Sequence, residues 1–330
     1  MRRHSRLDLW TALMGAGVLA IIGTAPAFGQ LSPQKPDLLG RDELPGFVYW
    51  NRYSDTQKRD CIKQGGISPE GLFDPMRYPS LNLRPEPKEG DQAQSPIALS
   101  TTRKVSSALP NIKFEYQPSV TSGAELTLKN NGHTVELALD PEEYKPGHPG
   151  RVGTGITEEP PARKIVLNGT SYTLDNLHFH TPSEHVVDDK PFDMELHVVH
   201  AALPRRAVIA IFLKVGDREN TALKPLFDAM SNLKNEGQKT KVTFGSDKLA
   251  AIFPADMTYF GYAGSLTTPP CDYGVTWMVL KTPIQISKEQ LAQFKAALMY
   301  GRAPGKGFPA NARNVQFPGY HAVSPTYSKN

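Results

Sequence analysis

Imidazoles and carboxylates crowd into two short runs, Leu177-His178-Phe179-His180-Thr181-Pro182-Ser183-Glu184-His185 and Glu195-Leu196-His197-Val198-Val199-His200. On an extended strand, residues i and i+2 share a face. His178 and His180 therefore point one way and Phe179 the other. If the segment Pro182–Asp193 turns the chain back, His197 supplies a third imidazole from the neighbouring strand. Three neutral imidazoles bind Zn²⁺ well and leave a fourth tetrahedral position for water. Glu195 shares the face of His197 and is placed to accept from that ring's second nitrogen, which fixes its tautomer. His200 differs from His197 by an odd number of positions and is expected to face away.

Each residue alone has a plainer explanation. A lone strand histidine is most often a polar filler, and an HxH pair arises by chance. The third histidine, with a carboxylate two positions before it, makes the set stronger than its parts. The run from His178 to Glu184 also has the HxHxxxE spacing of cupins, in which the glutamate is a ligand. The flanking glycines of that pattern are missing, with Tyr172 and Pro191 in their places.

These residues need strands to hold them. Alternating runs at Leu126–Leu128, Thr134–Leu139, Tyr172–Thr181, Met194–Ala201 and Ala207–Val215 read as strands, with Gly, Pro and Asn between them. Helical spacing occurs at Thr221–Leu233 and Ser287–Tyr300. In the second, Ser287 is an N-cap candidate and Gln290 completes a capping box. A short helix is expected near Ser54–Lys63. Asp140–Arg163 reads as a long Pro/Gly-rich loop. Strands outnumber helices and are joined by loops rather than crossover helices. The expected fold is mainly β (α+β), a large and mostly antiparallel sheet with peripheral helices.

Composition agrees. The 330 residues are 39% hydrophobic and 21% charged, which suits a globular chain, and 29 Pro with 27 Gly favour turns and strands over a helix bundle. A net charge of +4, scattered along the chain, does not suggest a nucleic-acid partner. Two cysteines exclude a disulfide miniprotein and a Cys-rich metal cluster.

The N-terminus has the pattern of an export signal over residues 1–27. Arg2, Arg3 and Arg6 precede a mostly apolar Leu9–Ile22, and Ala25-Pro26-Ala27 offers a cleavage site. The apolar stretch falls short of the ~20 residues that span a bilayer, so cleavage is favoured over a retained anchor, and no stable membrane span is expected afterwards. The expected location is periplasmic or secreted. In an oxidising compartment Cys61 and Cys271 are expected to bond, the alternative being two buried thiols. Residues 28–90 read as an irregular N-terminal extension, and 91–330 as the main folded domain.

Several separated motifs now appear in one order: Gln94-Ser95-Pro96-Ile97, Asn131-Gly132-His133, the two histidine runs, Tyr262 through Cys271 (YAGSLTTPPC), Trp277, and Asn311-Ala312-Arg313. In these, the chain resembles the α-class carbonic anhydrases of exported bacterial type, over roughly Gln94 to Gln316. The resemblance implies a twisted sheet of about ten strands with a zinc ion at the base of a cleft. It implies reversible hydration of CO2 to bicarbonate and a proton by zinc-bound hydroxide. His178, His180 and His197 match the metal ligands. Thr267 matches the gatekeeper that orients the hydroxide, and Glu184 the residue that orients Thr267. Thr267 and Thr268 match the substrate side of the site, and Val199, Val208, Leu266, Val275 and Trp277 the apolar wall that receives CO2. His133 matches the proton shuttle.

Three positions depart from that pattern. Asn176 stands where a glutamine is usual, so a shorter amide meets the first ligand. Glu136 puts a carboxylate where a neutral amide is common. The family's N-terminal tyrosine has Tyr49, beside Trp50, as its candidate. Two other functions use the same residues: a non-catalytic binding module, against which the complete ligand set with Thr267 and Glu184 argues, and zinc buffering without turnover. A homodimer is compatible with the resemblance, although the sequence carries no interface signature.

Overall fold

The computed structural model describes residues 54–63, 94–102, 111–116, 125–138, 163–298 and 310–316. Helix α1 (Asp55–Lys63) precedes the strands β1 (Ala98–Leu99), β2 (Ile112–Tyr116), β3 (Glu125–Asn130), β4 (Val135–Ala138) and β5 (Arg163–Leu167). These are followed by β6 (Thr170–His180), β7 (Val186–Val187), β8 (Lys190–Pro191), β9 (Met194–Ala202) and β10 (Arg205–Gly216). The remainder comprises α2 (Lys224–Met230), β11 (Lys239–Thr243), α3 (Ser246–Ala251), β12 (Tyr259–Ser265), β13 (Tyr273–Leu280), β14 (Ile284–Ser287) and α4 (Lys288–Leu298).

One sheet holds 11 strands, in the order β11-β3-β4-β6-β9-β10-β13-β12, with β5 joined to β6, β2 to β5 and β14 to β10. Most neighbours are antiparallel, as expected, while β10 takes two parallel partners, β13 and β14. Strands β7 and β8, in the segment that turns the chain back from β6 to β9, form a small second sheet with β1.

The two faces of the large sheet follow the period of two. One face carries Leu196 and Val198 of β9, Ile209, Ile211 and Leu213 of β10 and Met278 of β13, packed with Leu226, Phe227 and Met230 of α2 and Phe294 and Leu298 of α4. The opposite face carries Val199, Val208, Ala210, Phe212, Val275, Trp277 and Val279 in a second apolar cluster. The central strands are thus covered on both sides, and β10 is buried from Ala207 to Leu213. Each large apolar side chain so buried contributes about 1.5–3 kcal/mol.

Strand β6 breaks the simple alternation once. Leu174 and Leu177 both lie on the helix-facing side although they are an odd number apart. A bulge between Leu174 and Asn176 in the pairing with β9 absorbs the extra residue, Asp175. From Asn176 onward the parity is reset, and Asn176, His178 and His180 share the opposite face.

Helix termini follow the capping expectation. In α4, Gln290 N–H donates to Ser287 Oγ at 3.2 Å, and Ser287 N–H to Gln290 Oε1 at 3.0 Å. The same reciprocal box opens α1, between Ser54 and Gln57. The helix expected over Thr221–Leu233 is shorter, Lys224–Met230, with Pro225 in its first turn. Its apolar spacing outlasts it because i→i+3 bonds from Asn232 and Leu233 hold turns that keep Leu233 facing the core.

The expected disulfide is present. Cys61 of α1 bonds Cys271, with Cα atoms 4.9 Å apart, and both residues are fully buried. Among the described residues no helix is long and apolar enough to cross a membrane. The export segment, Tyr49, Trp50, most of the N-terminal extension and most of the loop after β4 lie outside the described residues.

Candidate metal centre

Antiparallel pairing of β6 with β9 sets His178 opposite His197. His178, His180 and His197 each offer one ring nitrogen, and these atoms all lie within 4.8 Å of one another. His178 Nε2 and His197 Nδ1 are 3.2 Å apart. The remaining nitrogen of each ring meets an acceptor. His178 Nδ1 donates to Asn176 Oδ1 at 2.7 Å, His180 Nδ1 to the Asn311 carbonyl at 3.3 Å, and His197 Nε2 to Glu195 Oε1 at 2.8 Å. Asn176 is oriented in turn, since its Nδ2 donates to Asp175 Oδ2 at 3.1 Å.

With those protons placed, His178 Nε2, His180 Nε2 and His197 Nδ1 turn lone pairs toward one point. Two such nitrogens at 3.2 Å repel unless a cation lies between them. Burial holds His178 well below the usual imidazole range, reinforced by His197 and His180, and burial lowers His180 as well. Protons are thus a poor solution. His180 Nε2 is buried with no hydrogen-bond partner. An imidazole-seeking metal cation fits this donor set.

Support extends outward from Glu195. Its Oε1 also accepts from His185 Nδ1 at 2.7 Å, and its Oε2 from the His185 N–H at 2.9 Å. Burial would raise this carboxyl, but the paired His185 and His197 outweigh burial and hold it well below the usual carboxylate range. His185 Nε2 meets the Tyr262 hydroxyl at 2.7 Å, and Tyr262 reaches Ser95 Oγ at 2.9 Å. His185, Glu195 and His197 also cluster like ligands. Their hydrogen bonds consume the nitrogens and oxygens involved, so they serve the first group rather than compete with it.

The C-terminal segment 310–316 closes the site from behind. Asn311 Nδ2 donates to the carbonyls of His133 and Phe179 at 3.0 and 2.8 Å, and Asn311 Oδ1 accepts from Thr181 N–H at 2.8 Å. Arg313 N–H donates to Glu184 Oε1 at 2.9 Å, and Arg313 Nη1 to the Ser95 carbonyl at 2.6 Å. Glu184 is buried, and its Oε2 has no hydrogen-bond partner. Thr267 is buried too, at 4% exposure.

His178 and His180 open into a cleft of about 330 Å³. His133, Val199, Leu266 and Thr268 line it. Val208, Val275 and Trp277 lie in the buried cluster behind Val199, with Trp277 Nε1 donating to the Ser265 carbonyl at 3.0 Å. His133 is half-buried and sits in the four-residue connection between β3 and β4. Asn131 Oδ1 accepts from the N–H groups of His133 and Thr134 at 3.0 and 2.8 Å. Gly132 takes φ of 83°, which a side chain would strain. Glu136 also lines the cleft; its Oε2 accepts from Asn131 Nδ2 at 3.0 Å, and burial raises its carboxyl.

Sequence reasoning assigned no role to Arg206, Asp175 or Gln57, all of which line the cleft. Arg206 was accessible by parity with Val208. Asp175 points there only because of the bulge, and Gln57 only because the disulfide anchors α1. Tyr116 and His200 stack on the opposite side of the sheet, with ring centroids 6.0 Å apart, so His200 faces away as its parity requires.

Residues 83–325 match the family described as eukaryotic-type carbonic anhydrase. A carbonic anhydrase of Klebsiella pneumoniae is 35% identical over 230 residues, covering 69% of this chain and 82% of that protein. Carbonic anhydrase 7 of Homo sapiens is 33% identical over 230 residues, covering 64% and 78% respectively. Among solved structures, an α-carbonic anhydrase from Thermovibrio ammonificans in complex with the inhibitor sulfanilamide aligns with a TM-score of 0.51 and 30% identity, covering 70% of this chain and 86% of that one. Sequence match, sheet architecture and the imidazole cluster converge, and the chain belongs to the eukaryotic-type, or α-class, carbonic anhydrase family of enzymes.

Proposed function

We propose that this chain hydrates CO2 reversibly to bicarbonate and a proton at a Zn²⁺ site formed by His178 Nε2, His180 Nε2 and His197 Nδ1. The observation that carries the metal assignment is the buried, partnerless His180 Nε2 beside two converging lone pairs, each ring's other nitrogen already committed. Bound Zn²⁺ supplies Lewis acidity that brings the pKa of water down to about 7, a value established for carbonic anhydrases themselves.

The chain's own residues do the rest. Asn176, Glu195 and the Asn311 carbonyl hold the three imidazoles in the required tautomers. Glu184 Oε2, a buried acceptor without a hydrogen-bond partner, would accept a hydrogen bond from the Thr267 hydroxyl. With its proton so engaged, the Thr267 oxygen would face the centre as an acceptor and fix the orientation of the water-derived nucleophile there. Val199 and Leu266 give CO2 an apolar surface beside the imidazoles, and Val208, Val275 and Trp277 hold that wall from behind. Thr268, in the cleft lining, takes part in seating the substrate. His133, half-buried in the same cleft, accepts the proton released in each turnover and passes it to buffer, since imidazole titrates near neutral pH. The disulfide supports export to the periplasm or beyond.

The test is CO2 hydration followed with a pH indicator. The expected result is turnover that is lost with a zinc chelator and restored by added zinc. A metal-replete protein that leaves the uncatalysed rate unchanged contradicts this reading.

A further inference from the structure

We infer that Arg206 makes the outer end of the apolar side of the cleft an anion-binding edge, which favours small carboxylates and bicarbonate over neutral ligands. This rests on the reading of the cleft as a CO2-hydrating metal site.

Arg206 lies next to the first residue of β10, paired with Ala201 of β9 and Val275 of β13. It is an even number of residues from Val208 and Ala210, and so shares their face. Its side chain is half-buried and lines the cleft with Val199 and Leu266. Among the cleft-lining residues it is the only lysine or arginine. Among the described residues, no carboxylate lies within ion-pair distance of its guanidinium. The two carboxylates in the lining are placed elsewhere. Asp175 is on β6, with β9 between it and β10, about 10 Å away in strand spacings, and it accepts from Asn176. Glu136 is on β4 and accepts from Asn131. The cleft therefore has a positive end at β10 and a negative end at β4 and β6.

Position also sets what Arg206 can reach. His197 pairs with Ala210, four residues along β10 from Arg206, or about 13 Å at the usual rise. The arginine side chain, extended along the strand, shortens that gap. A ligand whose head group is held at the imidazoles and whose far end carries a carboxylate then meets a planar guanidinium fork. CO2 carries no charge and gains little from it, whereas bicarbonate is an anion. A plainer role exists for such an arginine: its stem covers apolar neighbours while its head stays in water. The experiment separates the two.

Calorimetry on the zinc-loaded protein compares benzenesulfonamide with 4-carboxybenzenesulfonamide, in the wild type, Arg206→Gln and Arg206→Lys. The expected readout is a fall of about three- to tenfold in the carboxylated-to-neutral affinity ratio in Arg206→Gln, the size of a partly screened charge pair. Arg206→Lys keeps much of the ratio, and added salt lowers it in the wild type. Unchanged ratios in Arg206→Gln, with neutral sulfonamide still bound, overturn the inference and leave the metal site standing. An equal loss of both ligands means that Arg206 only supports the fold, which also overturns it. A wild type that binds neither sulfonamide contradicts the metal-site reading, and this inference falls with it.

Discussion

His197 Nδ1 stands 3.2 Å from His178 Nε2 because the other His197 nitrogen, Nε2, donates to Glu195 Oε1 at 2.8 Å. One carboxylate thereby decides which atom of His197 faces the centre, and through His185 it is itself held by Tyr262 and Ser95.

Glu195→Gln removes the charge but keeps the shape. The amide oxygen can still accept from His197 and His185, but without the charge, and the amide Nε2 then faces the His185 backbone N–H, donor against donor. Metal affinity is expected to fall about 10- to 100-fold, as outer hydrogen-bond partners of ligands typically cost. Competition with a chromophoric chelator measures it. Unchanged affinity would show that His197 is oriented by packing alone.

The Cys61–Cys271 bond closes a loop of 210 residues, worth roughly 5 kcal/mol as an upper bound in the chain-entropy account. It ties α1 to the chain just after Thr267-Thr268-Pro269-Pro270. Cys61→Ser with Cys271→Ser is expected to lower stability by several kcal/mol in denaturant unfolding and to reduce activity through motion of the Thr267 loop. Equal stability of the double variant and the wild type would show the bond to be incidental to folding.

The imidazole cluster was legible because strand parity is a local rule, and it held for His178, His180, His197 and Glu195. The bulge at Asp175 was not legible, since an extra residue leaves no mark in a run of mixed polarity. The strap at Asn311 and Arg313 depends on hydrogen bonds between residues 131 and 218 positions apart, such as Asn311 to His180 and Arg313 to Ser95, which no periodicity encodes. Helix α2 was overextended because turn bonds preserve apolar spacing past the last helical residue. Sheet type was readable from the absence of crossover helices, but the parallel pairing of β10 with β13 and β14 was not, because it depends on how the chain returns around α2 and α3.

His133 tests the proton route separately from the metal. His133→Ala is expected to slow steady-state hydration in dilute buffer, with much of the rate restored by small imidazole buffers that carry the proton instead. A deficit that imidazole cannot repair would make His133 a structural residue of the β3–β4 connection.

His200 gives a pH dependence away from the site. Burial lowers its folded-state pKa to about 3 from 6.5. The unfolded chain therefore binds the extra proton first, and stability is full above the unfolded pKa and declines as pH falls toward the folded one. The slope is about 1.4 kcal/mol per pH unit for one such group. His178 and His180 act in the same direction, so the comparison must be with His200→Gln. That variant is expected to lose stability less steeply than the wild type between pH 6 and pH 4 by about that slope, as read by denaturant unfolding across the range. Parallel curves would contradict the assignment.

Metal content and hydration measured together in the wild type and His180→Ala test the central claim most directly. Among the three imidazole nitrogens that converge, His180 Nε2 is the one that is buried with no hydrogen-bond partner, so its removal should abolish binding rather than shift it. The account predicts about one Zn²⁺ per chain in the wild type, with neither zinc nor CO2 hydration in a His180→Ala protein whose circular dichroism shows a folded sheet. Stoichiometric zinc and full hydration in that variant would contradict it.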